Sequence, residues 1–215
     1  MASVPTGTIF SVATAFAAAK TVTAVSNATE ALVSSTAHGY TNGDIVQIFS
    51  GWGRLNRRAA RVKTSTTDSF VLEGINTTNT EFYPAGSGIG TVKKVTTFQQ
   101  INKILNPTSS GGEPKNITVK FLESDVEENI SDGFTAISES FEIDADEFGG
   151  AAYAALVALS EVQTDTVFKK TLKSGSLIFT PARLALNENV KLTDGQIMTN
   201  AVSLNGNGKI TRYSA

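Results

Sequence analysis

The sequence predicts a mainly β fold with antiparallel strands and one helix, and three observations carry that reading. Short runs rich in β-branched and aromatic residues recur along all 215 residues. Residues that tolerate positive φ separate them, and only one stretch has helical spacing.

Taken in order, β-type runs fall at residues 20–25, 31–35, 44–49, 59–64, 69–73 and 90–95. Further runs follow at 116–122, 135–144, 166–172, 176–180, 196–204 and 209–213. Asn42-Gly43, Asp132-Gly133, Asp194-Gly195 and the 205–208 cluster end strands at little steric cost. Alternation is clearest where Ile117, Val119 and Phe121 oppose Thr118 and Lys120. It recurs where Ile137, Phe141 and Ile143 oppose Ser138, Ser140, Glu142 and Asp144. A period of two gives one buried and one wetted face.

The helical stretch is 149–163, with Tyr153, Leu156, Val157 and Ser160 on one stripe. Asp144, Asp146 and Glu147 precede it and suit an N-cap and the positive end of the helix dipole. Its narrow apolar stripe fits a lid on a sheet. The segment 106–114, NPTSSGGEP, reads as a flexible loop between a compact module at about 20–95 and a body at 116–213.

Composition excludes several functions. A hydrophobic fraction of 40% is enough for a sizeable core, and a net charge of −2 gives no general attraction for phosphate. With no cysteine and one histidine, His38, disulfides, thiolate sites and most zinc or serine-triad chemistry are ruled out. His38 fits a local hydrogen-bonding role. The apolar segment 9–19 resembles a signal peptide but lacks a preceding Lys or Arg, so a cytoplasmically made, soluble chain is expected. The glycine run 86–90 lacks a following helix and reads as a turn, not a phosphate loop. The acid pairs Glu127/Glu128 and Asp144/Asp146 lack the interleaved aromatics a sugar cleft favours.

Charge is segregated along the chain. Arg54, Arg57, Arg58, Arg61 and Lys63 form a basic run beside Trp52, whereas 123–147 is acidic and carries no Lys or Arg. Opposite charges on separate segments suit docking between copies more than nucleic-acid binding.

Two stretches resemble known phage tail families. Within 37–74, Tyr40, Gly43, Asp44, Val46, Phe70, Leu72 and Gly74 match a small β-module common in phage tail proteins. Leu55-Asn56-Arg57 stands where that module usually has Leu-Asn-Gly. Residues 116–213 are similar to the lambda-type major tail protein family, through NITVKFLES, 133–144, the helix and the closing VSLNGNGKITRY. That resemblance implies a β-sandwich flanked by a helix, with an N-terminal small β-module. It also implies hexameric rings stacked into a tube through which DNA passes without specific binding. The expected partners are further copies and other tail proteins (tape measure, terminator and distal tail), with no cofactor, no membrane and the virion tail as location. Arg54, Arg57, Arg58 and Arg61 are then expected at an inter-subunit contact. Ser138, Ser140, Glu142 and Asp144 are expected to line the lumen, and 1–15 and 106–114 to be mobile until assembly. A tail terminator, baseplate hub or decoration protein has the same architecture, and a carbohydrate-binding or hydrolytic β-domain is the alternative from another class.

Overall fold

The computed structural model describes residues 6–215. The chain opens with β1 (Ile9–Phe16), then runs through the short strands β2 (Lys20–Val22), β3 (Ala24–Val25) and β4 (Ala31–Ser34). Next come β5 (Ile45–Ser50), β6 (Ala59–Lys63), β7 (Ser69–Leu72) and the long β8 (Gly90–Ile101). After β9 (Ile104–Ser110), β10 (Pro114–Val119), β11 (Glu128–Phe134) and β12 (Ser138–Asp144) stands the helix α1 (Ala151–Val162). The chain closes with β13 (Thr166–Thr171), β14 (Leu177–Leu186), β15 (Thr199–Gly206) and β16 (Thr211–Tyr213).

The strands from β2 to the first half of β8 close into a small barrel. The hydrogen-bonded order β3-β4-β7-β6-β5-β8 is completed by β2, which pairs with β8 and is joined to β3 through Thr23 alone. Closure leaves no unpaired edge there. Its core holds Ile48, Trp52, Leu55, Phe70, Leu72 and Ile75, all essentially inaccessible. Trp52 donates Nε1–H to the Pro84 carbonyl (2.8 Å) and meets Tyr83 edge to face. Gly90 is required where β8 enters the barrel, because a Cβ would lie 1.9 Å from the Phe49 carbonyl oxygen.

The second half of β8 leaves the barrel and pairs with β1, and the ladder continues β13-β14-β15-β12-β9. The ten-residue β14 makes this ladder a sandwich. Residues 177–182 pair with β13, and 182–186 pair with β15. The ladder folds over between these halves, so β12 faces strands that it does not pair with. Phe168 of β13 stacks on Phe141 of β12 at 5.9 Å between ring centroids, and Phe10 of β1 touches both rings. Lys170 and Glu139 form an ion pair across the same gap (2.7 Å) with both side chains largely buried. The fold is therefore mainly β, an antiparallel sandwich flanked by one helix, with a small barrel set into it.

Helix α1 packs mainly on β14 and buries Ala152, Tyr153 and Leu156. Ser160 accepts from the Leu186 amide, and Gln163, in the left-handed conformation that ends the helix, donates to the Leu184 carbonyl. The acids preceding the helix do not cap it. Asp144 instead accepts from the Asp146 amide in a separate 3-10 turn at Ala145–Glu147, and the N-cap of α1 is Gly150.

Three expectations are corrected. Residues 9–15 are not a mobile arm: β1 lies between β8 and β13, with Val12 and Ala13 fully buried on opposite faces. Residues 1–5 lie outside those described. The segment 106–114 is not a loop, because β9 pairs with β12 through Ser110, where Gly111 and Gly112 turn the chain. Asp132-Gly133 does not end a strand, because both residues lie inside β11, which starts at Glu128.

Because Phe168 touches both layers, Phe168→Ala should cost about 3–5 kcal/mol in chemical denaturation. A loss under about 1 kcal/mol would show that the layers do not depend on it. Deleting residues 1–16 removes β1 and should abolish the cooperative unfolding transition by circular dichroism, whereas a retained sharp transition would place β1 outside the core.

Candidate assembly surfaces

Four surfaces carry side chains that the subunit does not itself satisfy or that join its parts. The first is an arm. β10 and β11 form a separate two-stranded sheet, and nearly every residue of both strands is exposed. Ile117 pairs with Ile130 and both are half exposed. Phe121, Val126 and Phe134 are similarly open, and Leu122 is fully exposed. The base is held by reciprocal backbone bonds of Gly112 and Thr135 with Thr135 and Glu113. Gly111 has φ +83°, and a Cβ there would lie 1.9 Å from the Ala136 carbonyl oxygen. A hairpin with this much open apolar surface has little stability alone in water.

The second surface is the arginine run, and here the structure gives each residue a partner in its own chain. Arg57 donates Nε–H to Asp165 (2.7 Å), which also accepts from Arg183 (2.7 Å) and Asn207 (2.7 Å). Arg58 donates to Thr211 Oγ1 (3.0 Å). Arg61 pairs with Glu73, its amide donates to the Tyr213 hydroxyl (2.8 Å), and its guanidinium lies over the Tyr213 ring. The Arg54 guanidinium stacks on Phe82, 3.2 Å from the ring centroid. Arg57, Arg58 and Arg61 therefore clasp the barrel to the sandwich beside an apolar seam of Ala13, Ala59, Val167, Phe179 and Tyr213. Burial pushes the Asp165 carboxyl up, but hydrogen bonds from Arg183 and Arg57 outweigh it and hold the group below its ordinary value.

The third surface is the outer face of β12 and its neighbours. Ser138, Ser140, Glu142 and Asp144 share one face, opposite the core residues Glu139, Phe141 and Ile143. Cross-strand register sets Ser140 between Ser203 and Thr108, and Ser138 between Asn205 and Ser110. Ser203 in turn pairs with Ala185, and Asn205 with Arg183. The charges bordering this face are matched: Glu142 with Lys191 (2.9 Å) and Asp144 with Lys103 (3.5 Å). The hydrogen bond from Lys191, then that from Asn106, holds the Glu142 carboxyl below its ordinary value. The fourth surface is the outer edge of β9, which ends the ladder, pairs only with β12 and carries Pro107.

Sequence reasoning missed Glu139 and Asp165. Glu139 had a visible signal, since it falls on the apolar face of an alternating strand. Asp165 had none, as its arginine partner Arg57 is 108 residues away. His38 serves hydrogen bonding and packing: Nδ1 accepts from the Tyr40 amide (3.0 Å), Nε2 donates to the Ser69 carbonyl (3.3 Å) and the ring packs on Phe70.

Asp165→Asn should lower stability by about 1–3 kcal/mol at neutral pH, measured by denaturant titration. The folded carboxyl is depressed, so its contribution is complete above about pH 4 and is lost as pH falls through the lower folded value. Parent and variant stabilities should therefore converge in acid. A constant gap across pH would show that ionisation of Asp165 contributes nothing.

No curated protein sequence matches the chain. Among solved structures, a similar chain comes from the tail of an empty GTA particle, determined by helical refinement with C6 symmetry. The two share 14% identity and a TM-score of 0.42, over 54% of this chain and 87% of that one. The family model described as phage tail tube protein, TTP, matches residues 50–215. That match takes in part of the barrel, the arm and most of the sandwich, and on it the chain belongs to the phage tail tube protein family.

Proposed function

We propose that this chain is the repeating subunit of a phage tail tube, in which hexameric rings stack head to tail into a conduit for DNA. The observation that carries the reading is the arm of β10 and β11, whose apolar side chains stand in water on the free subunit. A surface of that kind gains most when a neighbour covers it. The open edge of β9 supports the same reading, because an unpaired edge is satisfied when strands of adjacent subunits continue the sheet. Contacts between unlike surfaces propagate without closing along an axis, as a tube requires. The role is structural, with no catalytic step assigned. The subunit is made in the host cytoplasm and ends in the virion tail, where tape-measure, terminator and distal tail proteins are its other neighbours.

In this reading the face bearing Ser138, Ser140, Glu142 and Asp144 lines the lumen, while the barrel, seated on the other layer, faces outward. A DNA conduit must not hold its cargo, because each phosphate neutralised by a fixed cation releases counterions and adds affinity. A face of hydroxyls and amides, with its lysines already paired to carboxylates, meets that requirement. The arginine clasp then acts in assembly by fixing the barrel's angle on the sandwich, while Arg54 and Arg58, which form no ion pair among the described residues, keep the direct contact with a neighbour.

Concentrated purified protein should form rings and tubes in negative-stain micrographs, and a strict monomer under all conditions would reject the reading. Replacing residues 116–131 with a short Gly-Ser turn should leave the melting temperature within a few degrees but abolish stacking. Normal tubes from that variant would remove the arm from assembly. Ser140→Lys combined with Ser203→Lys spares the Glu142–Lys191 pair and should leave tubes intact. Those tubes should retain duplex DNA at low salt and release it at high salt, and tubes that pass DNA like the parent would take this face out of the lumen.

A further inference from the structure

Two clusters of opposite charge have no ionic partner among the described residues. The turn 207–210 packs on the loop that starts β6, with Gly208 lying against Arg57. This brings Lys209 close to Arg58 and Arg54, whose positive charges, after burial, push its pKa down. Arg54, Arg58 and Lys209 make no ion pair among the described residues, in contrast to Arg57 and Arg61. Arg54 also presents the exposed Phe82 beneath its guanidinium, so the patch is both cationic and apolar.

The other cluster is the tip of the arm. Glu123, Asp125, Glu127 and Glu128 are exposed and make no ion pair among the described residues, and Lys120 is the one cation nearby in sequence. The fully exposed Leu122 and the open Val126 stand among these acids. The tip is therefore anionic and apolar, the complement of the patch in both respects.

We propose that the arm tip of one subunit docks on the Arg54–Arg58–Lys209 patch of a second copy, carboxylates against cations and Leu122 toward Phe82. This rests on the reading of the chain as a self-assembling subunit, and it names which surface receives the arm. The contact is between unlike surfaces, so each subunit gives one tip and receives another, and the chain of contacts continues. Charge matching of this kind guides encounter and register and rejects wrong dockings. It also relieves the repulsion that Lys209 feels from the two arginines in the free subunit.

The absence of native cysteine permits a direct test. Lys209→Cys and Glu127→Cys variants, each purified and mixed under mild oxidation, should give a disulfide-linked dimer of the two variants. Glu161→Cys, on the exposed side of α1, mixed with Glu127→Cys should give none. Arg54→Glu with Lys209→Glu should slow assembly about tenfold at low salt, as should Glu123→Lys with Glu127→Lys. All four changes in one chain should restore the parent rate within about threefold. Tubes that form without the Lys209–Glu127 crosslink, or slowed variants that are not rescued by combination, overturn the docking site while leaving the tube reading intact. If the variant carrying Arg54→Glu and Lys209→Glu assembles normally but loses affinity for duplex DNA, the patch belongs to nucleic acid instead. No assembly and no crosslink in the parent background would defeat both.

Discussion

The architecture depends on β14 belonging to two layers at once. Its first half is held by β13 and its second by β15, with the change at Ala182. Because one strand supplies both edges of the fold-over, the two layers cannot shift independently. Their inner faces are brought together on Phe10, Phe141 and Phe168, which are close enough to exclude water. Everything outside the sandwich is placed by this: α1 covers β14, the barrel covers one outer face, and the polar rows of β12 and β15 are left bare on the other.

Buried polar groups mark where the parts meet. Glu139 and Lys170 bridge the layers, and Thr180 donates to the same carboxylate. Such a pair adds little net stability over well-packed apolar residues, but losing one partner strands a charge in the interior. The Asp165 cluster does the equivalent work at the barrel. One carboxylate receives Arg57 from the barrel and Arg183 and Asn207 from the sandwich, which sets an angle between two bodies that apolar packing alone would leave free to slide. The basic run thus divides: Arg57 and Arg61 are ion-paired within the fold, whereas Arg54, Arg58 and the nearby Lys209 form no ion pair among the described residues.

Much of the fold was legible in the sequence, and the misses have physical causes. Runs with alternation or β-branched residues beside the Asn42-Gly43 and Asp194-Gly195 turns appear as strands, and the helix appears within two residues at each end. β1 was obscured because it lies inside a ladder with both faces covered, so Val12 and Ala13 are buried side by side and alternation disappears. β9 was obscured for the opposite reason. It is an exposed edge strand of Asn, Pro, Thr and Ser, strand only because β12 offers it a template. The acids and small residues of β11 hide it similarly, since it is templated by β10 alone. The lumen candidates share a face as alternation implied, but that Glu142 and Asp144 are paired to lysines depends on loops the strand pattern does not encode.

The insertion of the barrel between β1 and β8 has a consequence for how the chain folds. β1 must find β13 across more than 150 residues, as in the pairing of Val12 with Phe168, and pairings of such separation are entropically slow. The barrel contains only nearer pairings and closes on itself, and β2 and β8 are its own staves. Once it has closed, the residues entering at β2 and leaving through β8 are fixed side by side. β1 then lies alongside the second half of β8 without any search. A two-stranded template can in this way form before β13 joins, because barrel closure shortens the loop between its strands. The inserted module thus serves as a clamp for the fold that surrounds it, whatever else its outer surface does.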